Sequence, residues 1–295
     1  MPQSLIERLK NKILVCDGAM GTQLQQRGLS PEDCPEEFNM THPEIVQSIH
    51  RDYLDAGADI IETNSFGGNR ARLSMYDFGD QVEKFNRRAA ELAREMCPPN
   101  CFVAGSVGPT GQILQPLGLL SEENARNIFK EQVSALIAGG VDAIFIETMM
   151  SLEEILLAVQ AVKMLSSLPV SATMTFEMKP TGPRTSWGVS PADAVRGLTD
   201  AGVDILGANC GSGFDDMVKI INAMRQLTDI PIIAQANAGM PILEAGSATY
   251  NESPETMRPK ATTILRTGVN ILGSCCGTGP EHIRVLRELA DNQMS

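Results

Sequence analysis

Short β-branched apolar runs recur along the chain. Each is followed by a polar stretch and then by a segment whose apolar residues fall three and four positions apart. The runs predict eight strands, over Ile13–Cys16, Asp59–Thr63, Phe102–Val107, Ala143–Glu147, Val170–Thr175, Ile205–Asn209, Ile232–Gln235 and Asn270–Ser274. The helical periodicity predicts Pro43–Ala56, Asp80–Met96, Ser121–Ala138, Leu152–Leu165, Pro191–Ala201, Phe214–Leu227, Pro254–Arg266 and Pro280–Ala290. Thr41 is placed to cap the first of these helices and Gly57 to stop it.

A signature at the helix exits strengthens this pattern. Ala56-Gly57-Ala58-Asp59, Gly139-Gly140-Val141-Asp142, Ala201-Gly202-Val203-Asp204 and Thr267-Gly268-Val269-Asn270 each lead from a helix into a strand. A glycine there suits the left-handed turn that ends a helix, and so short a connection argues for parallel strands built from βα units. Eight units in 295 residues fit a (βα)8 TIM barrel, which needs about 250 residues, better than an open doubly wound sheet. No linker or low-complexity stretch divides the chain, so residues 1–295 are expected to form a single α/β domain.

Composition narrows the class of partner. A hydrophobic share of 43% with 20% charged residues is that of a water-soluble chain, and a net charge of -12 repels nucleic acid and anionic membranes. The amphipathic start MPQSLIERLKNK lacks the apolar stretch of a secretion signal, and no run is long enough to cross a bilayer. A cytoplasmic protein is expected. In that compartment the seven cysteines should be thiols, ligands or catalysts rather than disulfides.

In barrels of this kind the chemistry sits at the C-terminal ends of the strands. Those ends carry Asp17-Gly18-Ala19-Met20-Gly21-Thr22, Glu62-Thr63-Asn64-Ser65, Ser106-Val107-Gly108 and Glu147-Thr148. They continue with Thr175, Asn209-Cys210, Asn237-Ala238-Gly239 and Cys275-Cys276. Adjacent strand residues face opposite ways, so Cys275 and Cys276 can share a metal only if the strand ends there and turns, as Gly277 permits. With Cys210 from two strands away they supply three thiolates for zinc and leave a fourth position open. Zn2+ with three thiolates carries -1, and a substrate thiolate makes it -2. Such a centre lowers the thiol's pKa yet leaves the sulfur electron-rich, which suits alkyl transfer to sulfur. The carboxylates of Asp17 and Glu147 suit a substrate ammonium group, although acidic residues at strand ends also cap helices. The histidines His42, His50 and His282 fall in or beside helices and offer no evident fourth ligand.

With these residues in view, the chain resembles the homocysteine S-methyltransferases, zinc-dependent (βα)8 barrels, from Leu14 to Ile283. The marks are Asp17-Gly18-Ala19-Met20-Gly21-Thr22, Glu62-Thr63-Asn64-Ser65-Phe66, Gly207-Ala208-Asn209-Cys210 and Gly273-Ser274-Cys275-Cys276-Gly277-Thr278-Gly279-Pro280-Glu281-His282-Ile283. Asn237-Ala238-Gly239-Met240-Pro241 is similar to a stretch of the homocysteine-binding module of cobalamin-dependent methionine synthases. The resemblance implies that Cys210, Cys275 and Cys276 ligate zinc and act in catalysis, with Asn237 in the fourth position when substrate is absent. It implies that Asp17 and Glu147 bind the substrate amino group, and that backbone amides around Gly18 and the Ser106-Val107-Gly108 loop take its carboxylate. Asn209 is expected to join them in substrate binding.

The implied reaction is methyl transfer to the homocysteine thiolate, giving methionine. Methylcobalamin on a separate corrinoid protein is the expected donor and partner. The chain departs from the family pattern at Ser274, at Gly211-Ser212-Gly213-Phe214 and at Gln235-Ala236, all beside the expected metal. A different thiol acceptor, a donor such as S-methylmethionine or a betaine, and a non-catalytic zinc- or thiol-binding subunit therefore stay open. The sequence stops after the eighth helix, which fits either a free-standing enzyme or an excised module.

Three further features are read as structural. Cys97-Pro98-Pro99-Asn100-Cys101 is expected to be a turn at the opposite end of the barrel from the site. Met20, Met149, Met150, Met174, Met178 and Met240 cluster near strand ends, where core filling is their commoner role. Trp187, the only tryptophan, either roofs the site or packs on the barrel rim.

Overall fold

In a computed structural model, which describes residues 3–211, 213–244 and 247–293, each predicted strand and helix is present. The strands are β1 (Leu14–Val15), β2 (Ile60–Glu62), β3 (Phe102–Val107), β4 (Ala143–Met149), β5 (Val170–Met174), β6 (Ile205–Cys210), β7 (Ile232–Ala236) and β8 (Ile271–Ser274). The outer helices are α1 (Pro43–Asp55), α2 (Val82–Met96), α3 (Glu122–Ala138), α4 (Leu152–Leu165), α5 (Pro191–Asp200), α6 (Phe214–Arg225), α7 (Pro254–Arg266) and α8 (Pro280–Gln293). The strands form one parallel sheet in the order β1-β8-β7-β6-β5-β4-β3-β2. A parallel bridge between Cys16 and Ile60, with Asp17 N–H donating to Ile60 O, brings β1 against β2 and closes the barrel.

Strand parity sorts the apolar residues into two cores, because successive side chains point to opposite faces. Val15, Ile61, Val103, Ile144, Ile146, Ala172, Leu206, Ala234 and Leu272 face outward and pack under the helices. Leu14, Cys16, Ile60, Phe102, Ala104, Phe145, Ile205, Ile233 and Ile271 face inward and fill the lower barrel. A short N-terminal helix, Leu5–Leu9, adds Leu5 and Leu9 to that inner core and plugs the bottom.

The four glycine exits have a second function. Gly57, Gly140, Gly202 and Gly268 all have positive φ, the left-handed conformation expected there. Two residues on, the side chain of Asp59 accepts from Val15 N–H, Asp142 from Val103 N–H, Asp204 from Val170 N–H and Asn270 from Ile232 N–H. Each even-numbered strand is thus tied at its start to the odd-numbered strand before it, and the barrel is assembled from four such pairs.

Some boundaries differ from the sequence reading. Thr41 does not cap α1; it ends a short helix, Phe38–Thr41, and His42 takes the cap position without a side-chain bond. Pro43 fixes the start instead, since its missing N–H needs no cap. The sequence periodicity also left out a helix over Met20–Gln26 and a hairpin of Glu177–Lys179 with Gly182–Arg184, both too short for a clear period. Cys97–Cys101 is the expected turn, closed by Cys101 N–H donating to Pro98 O. Among the described residues no helix is long and apolar enough to cross a membrane.

Candidate active site

β8 ends at Ser274, and the chain turns over Cys275–Thr278, with Thr278 N–H donating to Cys275 O and Gly277 at φ 80°. Strand alternation stops there, so both cysteines of the pair can face one point. Their sulfurs are 3.8 Å apart, and the Cys210 sulfur lies within 4.8 Å of both. Cys210 reaches them through a left-handed backbone, φ 61°, which is costly for a residue with a Cβ and puts the strain beside the site. Hydrogen bonds from the Cys275 and Cys276 thiols push the Cys210 thiol down to about 3, while Cys276 is pushed up to about 12. The trio thus holds one negative charge readily.

Asn237 stands beside Cys210. Its Nδ2 donates to Gly211 O at 2.7 Å, while its buried Oδ1 has no hydrogen-bond partner among the described residues. Three soft sulfurs and one unspent carbonyl oxygen are a donor set that fits tetrahedral zinc. Tyr250, which the sequence reading missed, packs against Gly277: a Cβ there would lie 2.2 Å from Tyr250 Cγ. Burial, with the Cys276 sulfur beside it, raises the Tyr250 hydroxyl above its ordinary value.

These sulfurs form one wall of a cavity of about 350 Å³ at the C-terminal mouth of the barrel. Asp17, Gly18, Ser106 and Glu147 line it, as do Glu62, part of a family mark, and Gln235, a departure from the family pattern, neither of which was given a binding role from the sequence. Parity could have found both, since each follows an inward-facing residue, Ile60 or Ile233, by two. Gly18 is required by space. A Cβ there would come within 2.8 Å of Thr278 Oγ1 and 3.0 Å of the Tyr53 ring.

The far wall is a buried carboxylate network. Asp17 Oδ2 accepts from Glu62 N–H at 2.9 Å. Glu62 Oε1 accepts from Gln235 Nε2 at 2.5 Å and from the Cys16 thiol at 3.3 Å. Glu147 Oε1 accepts from Ser106 Oγ at 2.5 Å. Burial pushes the Asp17 carboxyl up to about 8 and raises Glu62 and Glu147 as well, each further raised by its acidic neighbours. Among the described residues that line the cavity there is no Lys, Arg or His. Such a surface favours a cationic ligand group.

Asn209 and Asn237 do not line the cavity. The Asn209 amide is committed within the protein: Oδ1 accepts from Thr148 N–H and Thr173 Oγ1, both at 2.8 Å, and Nδ2 donates to Glu147 Oε2 and Thr148 Oγ1. It holds Glu147 rather than facing the ligand space. In the Ser106-Val107-Gly108 loop, the Ser106 amide is bonded to Thr63 Oγ1 and the Gly108 amide to Phe66 O. Neither is free for a carboxylate.

Ser274 turns its hydroxyl to Thr278 Oγ1 at 3.0 Å and so braces the cysteine turn, while Ser212 lies outside the described residues. Trp187 is about half exposed and stays on the rim. Met20 lines the cavity, whereas Met149 and Met174 fill the outer core. His50 is buried in α1, and His282 accepts at Nδ1 from Gly279 N–H.

The sequence model of the homocysteine S-methyltransferase family matches residues 14–290. The chain belongs to this family. It is 34% identical over 298 aligned residues to methionine synthases of Mycobacterium leprae and Mycobacterium tuberculosis. Each alignment covers 95% of the chain, which spans only about a quarter of the length of these relatives. Among solved structures, the homocysteine methyltransferase MmuM from Escherichia coli, in its metallated form, superposes with a TM-score of 0.79 at 23% identity, covering 95% of this chain and 96% of that one. A methyltransferase from Methanosarcina mazei superposes at 0.62 with 13% identity, covering 99% and 98%. Both share the barrel fold. Family membership makes the chain a methyltransferase of the homocysteine S-methyltransferase type.

Proposed function

We propose that the chain is a zinc-dependent thiol S-methyltransferase. It would act as one barrel unit in the cytosol, converting homocysteine to methionine with a methyl group from a methylcorrinoid protein. The observation that carries this reading is the cavity itself, with three converging sulfurs on one wall and buried carboxylates on the other. Cys210, Cys275 and Cys276 would hold the zinc, and Asn237 Oδ1 would fill the fourth position in the absence of substrate. Bound there, zinc supplies the acidity that leaves a substrate thiol deprotonated at neutral pH.

The remaining work belongs to the chain. Asp17 and Glu147 hold the substrate ammonium, each accepting charge-assisted hydrogen bonds. Ser106 and Asn209 fix Glu147 in place. Amides around Gly18 lie on the cavity wall where the substrate carboxylate would rest. Holding both ends of the substrate would fix the direction of its sulfur, a gain of orientation rather than of acidity. A methylcorrinoid bound at the mouth would supply the methyl group as an electrophile and keep the electron pair of its own bond. Ser274 lines the cavity while its hydroxyl braces the cysteine turn, so the departure at that position lies on the ligand space.

Zinc-loaded protein, homocysteine and methylcobalamin should yield methionine, with loss of the methylcobalamin absorbance. Failure to form methionine with zinc bound, and with S-methylmethionine and a betaine tried in parallel as donors, would sink the reading. Cys275→Ser should lose both stoichiometric zinc and turnover; unchanged zinc would mean that the cysteines are structural.

A further inference from the structure

A ring of hydrogen bonds joins the loop after β7 to the cysteine turn, and it passes through one histidine. Ala238 N–H, next to Asn237, donates to Cys276 O at 3.0 Å, and Ala238 O accepts from Glu252 N–H at 3.0 Å. Glu252 O lies 3.0 Å from His282 Nε2, and Gly279 N–H donates to His282 Nδ1 at 3.1 Å. Gly279 belongs to the same turn as Cys276, so the ring closes where it began. These partners fix the tautomer. A backbone N–H only donates and a carbonyl only accepts, so Nδ1 is bare and Nε2 carries the proton. Glu281 Oε1, 3.5 Å from Nδ1, therefore finds no proton there to accept. His282 is buried and both of its nitrogens are engaged, which is why it offers no metal ligand. Lys260 Nζ, 2.6 Å from both Glu252 Oε1 and Asp215 Oδ2, ties the Glu252 segment to α6 and α7 from outside.

We propose that His282 is a positioning residue of the metal site, which holds the Asn237–Ala238 backbone in register with the Cys276 turn by joining Glu252 to Gly279. Past the strand bond of Cys275 N–H to Ala236 O, these two loops share one direct backbone bond among the described residues, from Ala238 to Cys276. A single bond is a hinge. The histidine supplies a second attachment, through Glu252, that stops rotation about it. The exchange of Asn237 Oδ1 for a substrate sulfur is then a motion of one side chain, and Cys275 and Cys276 keep their places through it. The inference rests on the proposed zinc site.

Amide hydrogen exchange of the unaltered protein, with and without zinc, tests this without any variant. The amides of Ala238, Glu252 and Gly279 should open as one unit, and zinc should slow all three by about the same factor. Val103 N–H, at the far end of the barrel, should stay as it was. Zinc that protects Ala238 but leaves Glu252 and Gly279 unchanged would overturn the proposal. Two variants then cut the ring at different places. An asparagine amide stands about where Nδ1 does, so His282→Asn keeps the Gly279 bond. A glutamine amide reaches about as far as Nε2, so His282→Gln keeps the Glu252 bond. A ring opens wherever it is cut, so each variant should bind zinc about tenfold or more weakly in competition with a chromogenic chelator. Leu5→Ala, which loosens the other end of the barrel, should keep the unaltered affinity. A His282→Asn protein that holds zinc normally would reduce His282 to a cap of α8, and a Leu5→Ala protein that loses zinc as readily would tie zinc affinity to global stability; either result defeats the proposal. An unaltered protein without stoichiometric zinc would sink the zinc reading, and this inference with it.

Discussion

At the scale of single residues, the site depends on side chains that hold other side chains in place. Asn209 is the clearest. Its amide makes four bonds that fix Glu147 and hold Thr148 at φ 60°, a left-handed conformation that threonine disfavours. Asn209→Ala should leave zinc content unchanged and raise KM for homocysteine by about tenfold or more, since several buried groups lose partners worth about 1–3 kcal/mol. Steady-state kinetics beside metal analysis separates this from loss of the metal.

His50 makes a different prediction. It is fully buried in α1, and neither ring nitrogen has a partner among the described residues. Burial pushes it down from 6.5 to about 4. Between these values the unfolded chain takes up a proton that the folded protein refuses. His50 therefore costs nothing by titration above pH 6.5, and stability falls as pH drops toward 4, by up to about 3 kcal/mol. His50→Leu should flatten that acid limb in urea denaturation followed across pH 4–7. An unchanged slope would rule His50 out as its source.

Residues of this kind were only partly legible in the sequence. The cysteines and Asp17 stand at strand ends where barrel chemistry is expected. Glu62 and Gln235 were equally legible by parity, and both stood in stretches compared with the family, yet neither residue type there implied a role in the site. The positive φ of Cys210 leaves no trace in residue type, and Tyr250 reaches Cys276 from a connection whose path no periodicity predicts.

At the scale of elements, the exit signature joins sequence to barrel assembly. A glycine ends the helix, and an Asp or Asn two residues later receives an N–H from the first or second residue of the preceding strand. The chain itself uses both residue types, which sets the test. Asp204 has Val170 N–H as its bonded partner at 2.9 Å. Asp204→Asn should be nearly neutral because Asn270 performs the same task, whereas Asp204→Ala should lower stability by about 1–3 kcal/mol through an unpaired backbone donor. Denaturant midpoints of the two variants decide it. The strands and helices were legible because their periods are long and regular. The short helix Met20–Gln26 and the hairpins were not, since fewer than two turns or three residues per strand carry no period.

At the scale of the whole molecule, stability and chemistry occupy opposite ends of the barrel. Leu5 and Leu9 close the bottom, and Asp59 ties that end together with Lys12 and Arg287, both at 2.7 Å. The sulfurs and carboxylates lie at the top. Leu5→Ala and Leu9→Ala should each cost about 2–5 kcal/mol, as buried leucine truncations do. Zinc content and KM of the surviving folded protein should stay as they were. A shift in KM would show that the plug and the site are coupled through the inner core.

The sequence by itself determined the eight βα units, their parallel order and the set of strand ends that could carry chemistry. Those follow from local period and from the handful of residues that tolerate a helix exit. The tertiary structure decided which of those groups meet: that Cys210 at the end of β6 joins Cys275 and Cys276, that Glu62 joins Asp17 and Gln235, and that Asn209 holds Glu147. These are contacts between strands far apart in the chain, and they arise only when the sheet closes on itself.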